Sequence, residues 1–305
     1  PVCVTIGILL PAASVHHNTQ RLETPIMTPS RRPIFSLKAV MAALPLLLAV
    51  FITLPASGGN SPPRVIPENV RIPVLMYHHL DDQWDHAPGV VIPPQRFEEH
   101  LQSLRETGYQ GITFRDLLKA AEGRKVLPAK PVILTFDDGY LSNYTVAFPL
   151  LKKYGFRATI NVVGSSRGIT PGGIPHFSWE QAREMASSGL VEIGDHSWDM
   201  HGYGMVRQVG ETRESLSQRI RRDLAISRPA IGRHVGEVPL VFCYPFGKND
   251  SVTRKAVKES GYIYQLTTVR GILTGATDPT SIPRITVRGD MTGWELVDLI
   301  GQMAN

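Results

Sequence analysis

Residues 131–140, PVILTFDDGY, place two adjacent carboxylates at the end of an apolar run. The apolar residues 132–134 predict a buried strand that delivers Asp137 and Asp138 to its C-terminal end, and Gly139 predicts a sharp turn there. Two like charges side by side at the edge of a core repel each other, so they need a cation or a shared proton. A metal ion would meet that need, with one carboxylate as a ligand and the other left as a base. The alternative is an Asp-Asp-Gly turn in water.

A second group of polar residues follows another apolar stretch, residues 190–193, and contains His196 and His201. Imidazole nitrogens together with a carboxylate suit zinc and its first-row neighbours, and a catalytic site keeps one position open for water. A spacing of five residues puts the two histidines on different faces of a regular helix or strand, so they would have to converge through a loop. Either histidine alone is more often an ordinary polar residue. Together with Asp137 and Asp138, the pair indicates a metal site.

Both groups belong to an ordered set of segments that resembles a known family. The resemblance is to the polysaccharide deacetylases (NodB homology domain, carbohydrate esterase family 4), and it runs from about Ile72 to the C-terminus. The branch that acts on exopolysaccharide, with poly-N-acetylglucosamine deacetylase as its type, is the most similar. The matching segments are residues 73–79 (PVLMYHH), 135–139 (TFDDG), 155–163 (GFRATINVV), 196–201 (HSWDMH), 243–247 (CYPFG) and 282–285 (IPRI).

The resemblance implies an α/β fold, a distorted (β/α) barrel of about seven strands that forms a single domain over residues 72–305. The sequence pattern supports this fold, because predicted strands and helices alternate in this region, and such alternation favours a parallel sheet. In such barrels the functional residues lie at the C-terminal ends of the strands. The predicted strands are 74–78, 132–136, 159–163, 190–193, 240–244 and 285–287, and the predicted helices are 94–107, 116–121, 145–154, 179–187, 211–227 and 251–260.

The resemblance also implies an exported enzyme that hydrolyses the N-acetyl groups of an N-acetylglucosamine polymer, with a poly-N-acetylglucosamine-type exopolysaccharide favoured. Asp138, His196 and His201 would hold a divalent metal, expected to be zinc, while Asp137 accepts a proton from the attacking water. Tyr244 joins the catalytic set, because an N–H of its loop is expected to stabilise the oxyanion. Peptidoglycan and chitooligosaccharide deacetylation are the alternatives, together with a catalytically idle carbohydrate-binding protein of the same fold.

Two departures from the wider family affect the expected site. Most members carry an arginine in the third motif that orients the base, and the matching residue here is Cys243. We expect Arg284 to replace it within hydrogen-bonding reach of Asp137, since a nearby cation lowers the pKa of a carboxylate. The alternative is an arginine on the surface. The family's late histidine, which protonates the leaving amine, is also missing, because no histidine follows His234.

Some aromatic and imidazole side chains are candidates for contact with the sugar. One of two adjacent side chains on a strand points inward, so His78 can approach the barrel mouth, although packing is the alternative. Trp198 lies between the two histidines in sequence and offers a flat apolar face. Trp84 and Trp179 are expected in the core or at the rim. The predicted substrate-binding residues are Tyr244, Phe246, Trp198 and His78.

The N-terminal part divides into three segments. The first methionine is Met27, so residues 1–26 are expected to be a non-native upstream segment. Residues 27–57 combine basic residues, an apolar run and then small residues, which is the pattern of a secretory signal peptide. We therefore expect export to the periplasm, the cell surface or the medium, with a signal anchor as the alternative. Residues 58–71, rich in glycine and proline, are expected to be a linker.

Charge and cysteine content restrict the partners. The formal net charge is +5, but the basic residues form no run that would indicate nucleic-acid binding. The expected partner is a polysaccharide, and a basic surface also suits association with an anionic envelope. Cys3 and Cys243, the two cysteines, cannot form a disulfide framework. The sequence leaves the oligomeric state open.

Overall fold

The computed structural model describes residues 64–83, 90–202 and 204–304. The predicted upstream segment 1–26, the predicted signal peptide 27–57 and Trp84, which the sequence analysis singled out, lie outside the described residues. Among the helices of the described ranges, none is both long and apolar enough to cross a membrane.

Twelve strands and seven α-helices form the described part of the chain. The strands, β1 to β12 in chain order, are Arg71–Ile72, Val74–Tyr77, His79–Leu80, Val91–Ile92, Gln110–Gly111, Pro131–Phe136, Ala158–Val162, Val191–Asp195, Val241–Cys243, Tyr264–Arg270, Leu273–Thr274 and Ile282–Thr286. The helices, α1 to α7, are Pro94–Glu106, Phe114–Ala121, Phe148–Tyr154, Trp179–Ser187, Arg213–Val235, Ser251–Glu259 and Gly293–Ala304. A π-helical turn, Asn143–Ala147, runs directly into α3.

Seven parallel strands close into a barrel, which confirms the predicted fold class. The hydrogen-bonded order is β2-β12-β10-β9-β8-β7-β6, and β2 also pairs with β6, which closes the ring. The short strand β5 extends the sheet beyond β6. Because the barrel strands all run in one direction, their C-terminal ends meet at one mouth of the barrel.

Both faces of the barrel strands are buried, which explains the unbroken apolar runs in the sequence. In β6 every residue from Val132 to Phe136 is buried. Val132, Leu134 and Phe136 pack with apolar residues of α1 and α3, whereas Ile133 belongs to a second apolar cluster with residues of β2, β9 and β10. The period of two along a strand places alternate side chains inside the barrel and under the helices.

All the predicted elements are present with shifted boundaries, and the sequence analysis missed strand β10, helix α7 and the five two-residue strands β1, β3, β4, β5 and β11. Strand β10 ends in three exposed residues, and α7 follows it near the C-terminus. Helix α5 runs on to Val235 instead of ending at residue 227. It continues through Pro229 because Ala230, Ile231 and Val235 are buried beyond that proline, and their packing outweighs the hydrogen bond that proline removes.

Residues 64–71, predicted to be linker, pack on the barrel. Ile66 is buried, and the carbonyl of Val65 accepts a hydrogen bond from the Tyr264 hydroxyl. Strand β1 then pairs with β11. The packed part of the chain therefore begins before residue 72, where the linker was predicted to end.

Candidate active site

The polar residues singled out in the sequence meet at the C-terminal mouth of the barrel. Asp137 and Asp138 follow β6 directly, and His196 follows β8. Arg284 reaches the same point from within β12. Asp138 and Ser197 both have left-handed backbone conformations, with φ of 68° and 76°. Non-glycine residues adopt this conformation only where their surroundings enforce it, and such residues concentrate at functional sites.

Asp137 is a buried carboxylate held by three neighbouring side chains. Arg284 donates through Nη1 to Oδ1 at 2.9 Å and through Nη2 to Oδ2 at 2.8 Å. Asn161 Nδ2 donates to Oδ1 at 2.9 Å, and the Cys243 thiol lies 3.3 Å from Oδ2. Burial raises the pKa of Asp137, but the charge of Arg284 and its hydrogen bonds outweigh burial and hold this pKa well below its ordinary value. Asp137 is therefore ionised and fixed in orientation.

The structure shows the contact predicted between Arg284 and Asp137 and excludes a surface position for the arginine, of which only 1% is exposed. The other donors of Arg284 also meet buried acceptors. Nε donates to the Thr267 carbonyl at 2.8 Å, and Nη1 to the Thr135 hydroxyl at 3.0 Å. A bidentate guanidinium–carboxylate pair is among the strong charge-assisted contacts in proteins. Arg284 thus occupies the place beside the carboxylate that Cys243 is too short and uncharged to fill.

Asp138, His196 and His201 form a compact set of ligand atoms beside this carboxylate, all within 4.8 Å of one another. The Nε2 atoms of His196 and His201 lie 3.4 and 3.1 Å from Asp138 Oδ1. That oxygen is buried and, within the described residues, receives no hydrogen bond of good geometry. His196 Nδ1 donates to the Cys243 carbonyl at 2.7 Å, which leaves Nε2 with the lone pair that a metal needs. The set fits a divalent cation, and two imidazoles with one carboxylate suit zinc.

Asp137, His196 and Cys243 also lie close enough together to share an ion. This second set does not suit a cation, because Asp137 and Cys243 both contact the guanidinium of Arg284. Burial raises the pKa of the Cys243 thiol, so the sulfur keeps its proton at neutral pH. The first set is therefore the candidate metal site, and Asp137 is left as a base beside it.

The Tyr244 side chain does not reach the site, and its predicted contact with substrate is wrong. Tyr244 is fully buried, its ring packs edge-on against Phe242, and its hydroxyl donates to Gln265. The period of two along β9 explains the error. Phe242 and Tyr244 share the outer face under the helices, while Cys243, between them, points at Asp137.

The other predicted sugar contacts have different surroundings. Phe246 is 56% exposed, and its ring centroid lies 5.0 Å from that of His201. His78 Nε2 lies 3.8 Å from Asp137 Oδ2, so both residues adjoin the site. Trp198 instead covers Gly164, where an added Cβ would lie only 2.3 Å from the indole. Trp179 stacks on His234 between the outer helices, 4.7 Å from centroid to centroid.

A cavity of about 310 Å³ opens beside Asp138 and His201. Its wall includes Tyr140 and His176, whose ring centroids are 4.9 Å apart, and the carboxylate of Asp199. Trp198 does not line it, and neither does any lysine or arginine of the described residues. The sequence analysis missed these wall residues, although an aromatic residue directly after the Asp-Asp-Gly turn was a signal for Tyr140.

Arg167 is a second buried arginine that the sequence analysis missed. Its guanidinium donates to the carbonyls of Val163, Gly139 and Asp138 at 3.1, 2.7 and 2.7 Å and packs on the ring of Phe177. These contacts tie the turn after β6 to the segment after β7. They hold the main chain of Asp138 in the position that presents its carboxylate to the two histidines.

Comparison with known proteins identifies the family. Residues 124–265 match the family model described as polysaccharide deacetylase. The protein YxkH of Bacillus subtilis, which is assigned to the polysaccharide deacetylases, is 30% identical over 223 residues, which cover 73% of this chain and 74% of that protein. The chain belongs to the polysaccharide deacetylase family. It is an enzyme of the class that hydrolyses N-acetyl groups of sugars.

Other relatives of this deacetylase carry more specific names. The poly-β-1,6-N-acetyl-D-glucosamine N-deacetylase of Escherichia coli is 29% identical over 243 residues, which are 70% of this chain but 36% of that protein. The enzyme of the same name from Staphylococcus epidermidis is 27% identical, over 65% of this chain and 68% of its own length. The structure of IcaB from Ammonifex degensii superposes with a TM-score of 0.64 and 26% identity, covering 78% of this chain and 99% of IcaB.

Proposed function

We propose that this deacetylase is exported, requires a divalent metal, and removes N-acetyl groups from a poly-N-acetylglucosamine-type exopolysaccharide. The observation that carries the proposal is the pair of adjacent acids with separate surroundings. Asp138 faces two histidines with an oxygen that receives no hydrogen bond from the described residues, while Asp137 is locked on Arg284. Two carboxylates whose environments differ in this way are suited to two different roles. The names of the Escherichia coli and Staphylococcus epidermidis relatives support the choice of polymer.

In the proposed mechanism Asp138, His196 and His201 would hold the cation, and Asp137 would act as the general base. A divalent cation there would polarise the acetyl carbonyl and lower the pKa of a water molecule. Asp137 accepts the proton of the attacking water, and Arg284 keeps it ionised until that step. Collapse of the tetrahedral adduct breaks the C–N bond, and the amine leaves with a proton that balances the one Asp137 accepted from water, so the products are acetate and a glucosamine unit. A carbohydrate-binding protein would need no ionised base at this position, which argues against an idle member of the fold.

The oxyanion donor is proposed to be the N–H of Phe246 rather than that of Tyr244. Tyr244 N donates to the Leu266 carbonyl at 3.0 Å, and Gly247 N donates to the Tyr244 carbonyl at 2.8 Å. Pro245 has no N–H, so Phe246 is the residue of this loop whose N–H has no acceptor in the described part of the chain. Phe246 has a left-handed backbone conformation, with a φ of 57°, and its ring adjoins His201. An N–H fixed near the metal ligands is suited to stabilise developing charge on an acetyl oxygen.

Removal of the metal is expected to abolish acetate release. Purified protein would be incubated with poly-β-1,6-N-acetylglucosamine, chitooligosaccharides or peptidoglycan, and acetate would be measured with and without a chelator. We expect release from the first polymer, loss with chelator, and recovery when zinc is added back, because the cation activates both water and carbonyl. The Asp137→Asn variant is the control for acetate from other sources. Unchanged release from chelated protein would reject metal dependence, and a preference for peptidoglycan or chitooligosaccharides would reject the proposed polymer.

Export is proposed from the sequence of residues 27–57. If the apolar run is a cleaved signal, the mature protein should begin shortly after Ala56, where small residues follow that run. N-terminal sequencing of the protein from the cell envelope or the medium would show this. Unprocessed protein in the cytoplasm would contradict export, whereas unprocessed protein that stays in membranes after an alkaline wash would indicate a signal anchor instead.

A further inference from the structure

The segment that carries both metal-binding histidines, residues 196–201, is called here the ligand loop. It has no regular secondary structure, yet side-chain oxygens accept from every N–H of its four inner residues. Three of the four acceptors are carboxylate oxygens. In order, Ser197 N donates to Asp195 Oδ1 at 2.8 Å, Trp198 N to Asp223 Oδ2 at 2.7 Å, Asp199 N to Asp223 Oδ1 at 2.9 Å, and Met200 N to Ser197 Oγ at 3.1 Å.

The central acceptor, Asp223, comes from the long outer helix α5. Asp223 and Ser227 are four residues apart, so they lie on one face of this helix. Ser227 donates to Asp195 Oδ1 at 2.9 Å, and Asp223 accepts from the loop with both of its oxygens. This face also carries the buried Ile220 and Leu224. An acidic residue among buried apolar ones on a helix needs compensation, and here the N–H groups of the ligand loop provide it.

These four hydrogen bonds to the ligand loop explain how two histidines five residues apart can bind one ion. Neither a helix nor a strand brings residues with this spacing onto one face. In the ligand loop the main chain changes direction at Ser197, and this turn brings the two histidines together. The φ of Ser197 is 76°, a conformation that is costly in free energy for a residue with a side chain. Hydrogen bonds to ionised acceptors are stronger than bonds between neutral groups. The carboxylates of Asp195 and Asp223 therefore hold the ligand loop in a conformation in which both Nε2 atoms face Asp138.

We propose that Asp223, supported by Ser227, is a positioning residue that sets the geometry of the metal site from helix α5. It contacts neither ligand side chain and acts through the backbone between the two histidines. The inference rests on the proposed binding of a divalent ion by Asp138, His196 and His201. Helix α5, which lies outside the barrel, would then contribute to metal affinity through the ligand loop.

The test is the affinity of the full chain for zinc, measured by competition with a chromophoric chelator. Asp223→Asn keeps the shape of the side chain but replaces one acceptor oxygen by an NH₂ group that cannot accept from the loop. Loss of an outer-shell contact typically lowers metal affinity roughly 10- to 100-fold, and we expect a fall in this range. The matched control is Leu224→Ala, the next residue along the helix, which is 1% exposed and contributes packing alone. It should lower the melting temperature and leave zinc affinity within about twofold, because it removes no acceptor from the ligand loop.

Zinc affinity of Asp223→Asn equal to that of the unmodified protein would overturn the proposal. An equal loss of affinity in Leu224→Ala would also overturn it, since the effect would then be one of general stability. If Asp223→Asn does not fold, the variant Ser227→Ala takes its place, because it removes only the hydroxyl contact to Asp195. We expect this variant to lose zinc affinity by a smaller, few-fold factor. Unchanged zinc affinity in Ser227→Ala would reject the proposed role of α5 in positioning the ligand loop. Absence of zinc binding by the unmodified protein would instead reject the metal site itself.

Discussion

Replacement of Asp137 by asparagine is expected to reduce acetate release by about 10²- to 10⁴-fold, the usual contribution of a positioned general base. The asparagine is nearly isosteric and can still meet Arg284 with one oxygen, so the barrel mouth should keep its shape. Zinc should bind almost as well as before, because Asp137 is committed to the guanidinium and not to the ligand set. Turnover and zinc affinity would be measured on the same preparation.

Asp138→Asn is the matched control, since it changes the next residue by the same atoms. We expect it to weaken zinc binding directly, because the Asp138 carboxylate lies against both histidines. Added zinc should then restore part of the activity of this variant but none of the activity of Asp137→Asn. Equal loss of zinc from both variants would show that the roles of the two carboxylates are wrongly assigned.

Loss of Arg284 is expected to have the second large effect, on both turnover and its pH dependence. The guanidinium charge favours the ionised form of Asp137, so its removal raises the pKa of Asp137. Asp137 can accept a proton only above that pKa, and the acidic limb of the pH–rate profile of Arg284→Met should therefore move to higher pH by about 1–3 units. Zinc affinity should change little, because Arg284 contacts none of the three ligands.

Stability must be separated from catalysis in this variant, because removal of one partner from a buried ion pair costs about 3–5 kcal/mol. The double variant Asp137→Asn with Arg284→Met removes both charges and should regain much of the lost stability while staying inactive. Thermal unfolding of the single and double variants would test this. An Arg284→Met enzyme with normal turnover and an unshifted acidic limb would show that Asp137 does not depend on Arg284 for its ionisation.

The sequence was sufficient for most of the fold and the centre of the site, because both depend on local signals. Apolar runs precede Asp137 and His196 in the sequence. From these runs we predicted two strands that place polar residues at one mouth of the barrel. Arg284 was found by elimination, since a buried base needs a cation and the third motif has none. Strand β10 was missed because its C-terminal part is exposed and its pairing with β9 and β12 depends on residues distant in sequence.

The supporting residues were harder to predict for a related reason. Asn161 and Asp223 are polar residues in elements whose buried residues are mostly apolar, a pattern that shows burial but not the partner. Their partners, Asp137 and the ligand loop, lie more than twenty residues away. Tyr244 was assigned wrongly because a motif match gives the order of residues, whereas the face of a strand decides which side chain reaches the mouth.

The three carbonyl contacts of Arg167 have a consequence for how such enzymes can be altered. One side chain fixes the main chain on both sides of the cavity, at Asp138 and Gly139 and again at Val163. A chimaera that imports the segment after β7 from a relative, in order to change polymer preference, would also import or delete the support of a metal ligand. An exchange of either segment would therefore need the matching segment from the same relative, so that the main chain of Asp138 keeps its support.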